Sequence, residues 1–145
     1  MVPVMIQRYH DLETDEVKLR RLTGLKRVEF EALHLLFKDV WQSYFAQFTL
    51  DGTPRFRQAS IRKNSIFSDT NDALLFGLIY VNGNVKQEQL AVFFGIDQPK
   101  ASKYLSLTQK ILLQVVEKNP NVISKRKQKR ISDAIMSRIN NQFVS

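Results

Sequence analysis

The chain has 145 residues, of which 43% are hydrophobic and none is cysteine, enough for one ordinary domain with its own core. The lack of cysteine excludes disulfides and thiolate metal sites and suits a reducing, cytoplasmic setting. The formal net charge of +8 points to polyanionic partners, with a solvated, solubility-promoting face as the plain alternative.

The stretch Ala73 to Val81 is the most apolar and falls far short of the roughly 20 residues that a membrane span requires. The opening residues Met1 to Arg8 lack a basic region followed by an apolar run. A soluble protein of the cytoplasm or nucleoid, with no membrane partner, is therefore expected.

No internal repeat or low-complexity tract is visible, and the hydrophobic pattern is helical with one interruption. Arg8 to Leu22 predicts a short helix capped by Thr14 or Asp15 and closed by Gly24. From Lys26 to Phe48, Phe30, Leu33, Leu36, Phe37, Val40, Trp41, Tyr44, Phe45 and Phe48 recur at steps of three and four, the stripe of one long amphipathic helix that packs a core. Asp51-Gly52 and Pro54 then break the period, so residues 49–67 are expected to form a loop or small hairpin. Its basic residues Arg55, Arg57, Arg62 and Lys63 around Phe56 could contact a nucleic-acid backbone, but a solvated loop with Phe56 turned inward is the commoner arrangement. Ser68 is a good N-cap for a helix over 69–81, with Asp69 and Asp72 in its first turn and Asn82-Gly83-Asn84 after it.

The next stretch, Gln87 to Leu105, carries the functional signal. Leu90, Phe93 and Phe94 form the inward face of a short helix. Small Ala91 stands four residues before Gly95, the spacing needed where two helices approach closely and the first ends in a left-handed cap. Ile96 is expected to point back into the core, Asp97 to cap the next helix, and Pro99 to sit in its first turn, where amides lack intrahelical partners. In that second helix Ala101, Tyr104, Leu105, Thr108, Ile111, Leu112 and Val115 share the buried stripe, while Lys100, Ser102, Lys103 and Lys110 lie away from it.

A short helix, a glycine turn and a second helix with polar and basic residues at its start make a helix-turn-helix. In such units the second helix enters the major groove and its first residues meet base edges. Gln98, Lys100, Ser102 and Lys103 are the expected recognition positions, with Lys86 and Gln87 (and Gln89 beside them) placed to contact phosphate from the first helix.

The charge distribution points to the same segment. Residues 1–97 carry 12 basic and 12 acidic side chains, whereas Gln98 to Arg130 holds nine basic residues against Glu117 alone. Lys110 and the run Lys125, Arg126, Lys127, Lys129 and Arg130 are expected to add sequence-independent phosphate contacts, though a solvated basic face is the plainer alternative. The predicted organisation is an all-α, multi-helix domain over 1–124, followed over 125–145 by a basic linker and an amphipathic helix bearing Ile131, Ile135, Ile139 and Phe143.

From Leu22 to Val116 the chain resembles the N-terminal helix-turn-helix region of bacterial insertion-sequence transposases of the DDE type. The likeness rests on Leu22-Thr-Gly-Leu-Lys-Arg-Val-Glu-Phe-Glu-Ala-Leu33, on Thr49-Leu-Asp-Gly-Thr-Pro-Arg-Phe-Arg57, and on Ser68 to Leu113 with its Phe-Gly-Ile-Asp-Gln turn. The resemblance implies docking on terminal inverted repeats and supports Gln98, Lys100, Ser102 and Lys103 as recognition positions. Lys26 stands where members often carry a serine cap, and Ile61-Arg-Lys-Asn64 replaces a more glycine-rich basic stretch. The ribonuclease-H-like catalytic domain that follows in that family has no counterpart in these 145 residues.

Catalysis finds no frame of its own. Asp11, Glu13, Asp15 and Glu16 read as a solvated helix start, His10 and His34 have no histidine at ligand spacing, and no nucleophile elbow or phosphate-cradling glycine loop is present. The expectation is a non-enzymatic binder of double-stranded DNA with no cofactor or metal, partnered by a second copy of itself or by a separate catalytic transposase subunit. The alternatives from other classes are a stand-alone transcriptional regulator, a helical protein–protein interaction module, and a nuclease or transferase.

Overall fold

A computed structural model of the chain describes residues 8–54, 67, 69–83 and 85–144, with side chains described as far as Arg138. The described residues form seven helices and no strand: α1 (Tyr9–Leu12), α2 (Glu16–Thr23), α3 (Arg27–Gln47), α4 (Thr70–Val81), α5 (Gln87–Phe94), α6 (Gln98–Lys118) and α7 (Lys125–Val144). The protein is all-α, and no described helix is long and apolar enough to cross a membrane.

α2 and α3 follow the sequence reading, and α1 is an additional one-turn helix in a stretch expected to hold only one. Asp15 caps α2 by accepting the Lys18 N–H at 3.1 Å, and Gly24 closes it with φ +76°, its own N–H reaching the Arg20 carbonyl. Only glycine occupies that left-handed conformation at no steric cost. In α3 the side chains of Phe30, Leu33, Phe37 and Trp41 are buried, with Leu36, Val40, Tyr44 and Phe45 packed along the border. Glu29 turns back to accept the Lys26 N–H at 2.9 Å, so the helix has a first-turn carboxylate in place of a serine cap. The break after Phe48 is a tight turn with Gly52 at φ +86° and one antiparallel bridge between Phe48 and Pro54. The rest of the expected loop, with Phe56 and its basic residues, lies outside the described residues, as does Ser68.

α4 departs from the one-sided pattern. Its N-cap position is Asp69, one residue beyond the expected Ser68. Eight consecutive residues, Asp72 to Ile79, are buried, and α4 touches each of the other six helices. A helix apolar on every side is one that other helices surround. Gly77 permits the approach of α6: a Cβ there would stand 3.2 Å from Thr108. Asp72, expected as a favourable first-turn acid, faces inward and accepts the Tyr9 N–H at 2.8 Å, capping α1. Burial raises its carboxyl above the ordinary range, partly offset by that N–H and by nearby Arg8.

The C-terminal region corrects an expectation. Residues 125–130 are not a linker: α7 begins at Lys125, and Ser124 Oγ accepts the Lys127 N–H. Ile131 and Ile135 are buried in the common core, so this part of the apolar face is used within the chain and is not free for a partner. The side chains of Ile139 and Phe143 lie outside the described ones. Polar contacts that fasten α7 to the domain include Lys127 Nζ to Glu29 at 2.6 Å, Gln128 Nε2 to the Val116 carbonyl at 2.8 Å, and the Arg138 guanidinium 4.4 Å from the centre of the Tyr80 ring. The basic run formed no apolar period of its own, so the sequence pattern showed a helix only from Ile131 onward.

Candidate nucleic-acid interface

The helix-turn-helix is assembled from three local devices. Leu90, Ala91 and Phe94 of α5 are buried, and Phe94 contributes about 2 kcal/mol by leaving water. Gly95 adopts φ +68°. The Ile96 N–H then reaches the Ala91 carbonyl at 3.0 Å and the Gly95 N–H the Val92 carbonyl at 3.2 Å, the crossed pair of a Schellman cap. Asp97 Oδ1 accepts the Lys100 N–H at 2.8 Å, and Pro99 lies in the first turn of α6. Ile96 is half-buried against the core, which fixes the turn from within.

Aromatic packing holds the unit to the scaffold. Phe67 is buried at the junction of four helices, with Trp41, Phe76, Phe94 and Tyr104 arranged around it at ring-centre distances of 4.9–6.3 Å. Tyr104 is stacked on Trp41 at 6.3 Å. Arg8 lies over the Phe94 ring at 5.2 Å and donates to the Phe94 carbonyl, joining the start of α1 to the end of α5. Phe67 stood in the irregular stretch of the sequence, where no periodicity marked it as core.

The expected recognition positions are at the exposed start of α6. Gln98, Lys100 and Lys103 are exposed, and Ser102 is half-buried. Lys103 carries a contact that the sequence did not announce. Its Nζ meets Asp51 Oδ1 at 2.8 Å, both side chains more than half exposed. The hydrogen bond and charge of Asp51 raise the Lys103 ammonium above its ordinary value. Asp51-Gly52 was legible as a turn; its seat beside α6 is a tertiary fact.

The residues expected to position phosphate divide. Lys86 is exposed, and Gln89 Oε1 accepts its N–H at 3.0 Å, so Gln89 is a capping residue. Gln87 is half-buried and accepts from Arg138 Nη2 at 3.3 Å, so its side-chain oxygen holds α7 to α5. Lys110 is exposed two turns beyond Lys103 on the same side of α6.

The basic run divides as well. Lys125 and Arg126 are exposed with no ion pair among the described residues. Lys129 pairs with Asp133 at 3.2 Å on its own helix, and the Arg130 guanidinium lies against Gly24. Lys127 does not fit its expected role: only 20% of its side chain is exposed, and it is turned onto Glu29 of α3. Burial would raise the Glu29 carboxyl, but the hydrogen bonds from Lys127 and from the Lys26 N–H outweigh it and hold the group below its ordinary value.

α6 has 21 residues, about 30 Å at 1.5 Å per residue. The exposed cations following its end are thus about one helix length from those at its start, and the continuous basic segment of the sequence becomes two separated groups with Lys110 between them.

No family model, curated protein or solved structure matches the chain.

Several other ionisable groups form contacts within the domain. His34 Nε2 lies 2.7 Å from Thr70 Oγ1, joining α3 to α4, and burial with nearby Lys38 lowers its pKa. His10 pairs with Glu13, and Glu16 accepts the Arg27 N–H. Among the described residues, no three His, Asp or Glu side chains are grouped to hold a metal ion. A cavity of about 270 Å³ is lined by Tyr80, Val81, Gly83, Val85, Gln109 and Ala134. No lysine or arginine is among its described lining residues.

Proposed function

We propose that the chain binds double-stranded DNA through α5, the Gly95 turn and α6, as a transposase-like end-recognition module that is not an enzyme by itself. The observation that carries this reading is the exposure of Gln98, Lys100 and Lys103 on the first turns of a helix whose opposite side is core. Glutamine suits adenine edges, and lysine suits guanine or phosphate. The turn chemistry that leaves this face free is local and complete, from the Schellman cap to the Asp97 cap. The resemblance to insertion-sequence transposases over Leu22 to Val116 supports the same reading and suggests inverted-repeat ends as the target. A stand-alone regulator has the same binding chemistry; selection of bound duplexes from a random pool separates the two by whether the recovered site lies at the ends of a mobile element.

Titration of a mixed-sequence duplex at rising salt tests the reading. Affinity falls steeply, with a logarithmic slope of about −0.9 per phosphate neutralised. Lys100→Ala weakens binding more than Lys18→Ala, since Lys18 is exposed on α2. Equal losses at the two positions count against the assigned face.

A second reading has one observation in its favour. Val28 and Leu35 are 74% and 67% exposed, two turns apart on one side of α3, apolar side chains that a partner helix would cover. Sedimentation of the free chain tests it: a dimer dispersed by Leu35→Glu supports it, and a monomer at all concentrations contradicts it.

A further inference from the structure

Among the described residues, the contact between Lys103 and Asp51 is the one ion pair on the candidate recognition face. We infer that Asp51 is an internal competitor for DNA phosphate, a carboxylate that holds Lys103 in the free protein and must be displaced when α6 meets a duplex. This rests on the DNA-binding reading above and specifies how that surface is regulated.

Three observations lead to it. The contact is a direct ion pair, Nζ to Oδ1 at 2.8 Å, with the geometry that an ammonium adopts towards a phosphate oxygen. The ammonium has further N–H donors, so the competition is electrostatic: a carboxylate seated on Lys103 neutralises its charge and repels a phosphate brought to the same group. Asp51 is also held in place: the Tyr44 hydroxyl donates to the Thr49 carbonyl at 3.1 Å, Thr49 and Thr53 are joined through backbone and hydroxyls, and the Phe48–Pro54 bridge closes the turn. The carboxylate therefore stands on a structured support at the side of α6. Finally, both partners are solvated, 54% and 60% exposed, so the pair is weak enough to open. Exposed pairs contribute little, and exchange for a phosphate is a balanced competition.

Its chemistry distinguishes this pair from the other cations nearby. Lys100 and Lys110 have no ion pair among the described residues, and neither must surrender an acidic side chain in order to bind. Removing Asp51 frees one phosphate-seeking ammonium at the centre of the face.

The test measures binding of a mixed-sequence duplex by the full chain, by Asp51→Asn, by Lys103→Ala and by the double variant. Asn and Ser both keep the turn preference of position 51, so Asp51→Ser serves as a second variant, and thermal unfolding confirms that each protein folds. Asp51→Asn is expected to tighten binding about three- to fivefold at low salt, within the range of an exposed pair. The gain should shrink as salt rises and fall within about twofold of unity when Lys103 is alanine, a non-additive cycle. An unchanged or weaker affinity for Asp51→Asn overturns the inference, and so does an equal gain in the Lys103→Ala background, which would reflect net charge alone. If the wild-type chain binds no duplex, the functional reading falls and takes this inference with it. Duplex binding that Asp51→Asn leaves untouched removes the inference alone.

Discussion

Truncating Ile135 to alanine tests whether α7 belongs to the core or merely rests on it. The side chain is fully buried, and Ile131 beside it is 1% exposed. The substitution deletes three carbons, each worth about 0.8 kcal/mol when buried, and leaves a cavity that the surrounding helices fill only in part. The sum is about 3 kcal/mol, inside the range of isoleucine-to-alanine changes in cores. For a chain of this length each kcal/mol lowers the midpoint of thermal unfolding by roughly 3 °C, so the expected fall is about 10 °C. Circular dichroism during heating, together with urea unfolding, measures it. The transition should remain single, because α7 shares its core with α4 and α6. A loss below about 1 kcal/mol, or a separate early transition for α7, would refute the integration of this helix.

Two further changes probe the supports of the site. Glu29→Gln should cost about 1 kcal/mol at neutral pH, as the charge of a mostly covered pair with Lys127 is removed. Because the folded carboxyl lies below its ordinary value, its contribution is present above the usual carboxylate range and disappears as pH falls through the folded value; the stability gap between wild type and variant should therefore close on acidification, as urea midpoints across the acid range would reveal, and a gap that widens contradicts the assignment. Gly95→Ala places a Cβ in the left-handed region, at a cost of about 1 kcal/mol, and should weaken duplex binding as the turn relaxes. Stability and affinity both equal to wild type would show that the turn tolerates a side chain.

Much of this architecture was legible because it depends on local rules. The three-and-four spacing of Phe30, Leu33, Phe37 and Trp41 defines α3 without reference to any neighbour. The same holds for the glycine cap and Asp97 cap that delimit α5 and α6. What stayed hidden depends on partners distant in sequence. Asp72 reads as a favourable first-turn acid, yet it is buried as the cap of α1, 63 residues away along the chain. Lys127 reads as one more cation in a run, but the nearest carboxylate in space belongs to α3, 98 residues earlier. Asp51 is recognisable as a turn residue, whereas its position beside Lys103 follows from how α3 ends against α6. In each case residue type gave the chemistry and only the fold supplied the partner.

The claim on which the rest depends is that the first turns of α6 meet DNA, and amide NMR spectra of the chain titrated with a short duplex address it directly. The account predicts the largest shifts from Gln98 to Ser106, with weaker ones at Lys86 and neighbouring residues of α5. Shifts centred on α2 or on the Val28–Leu35 side of α3, with the start of α6 unmoved, would contradict it.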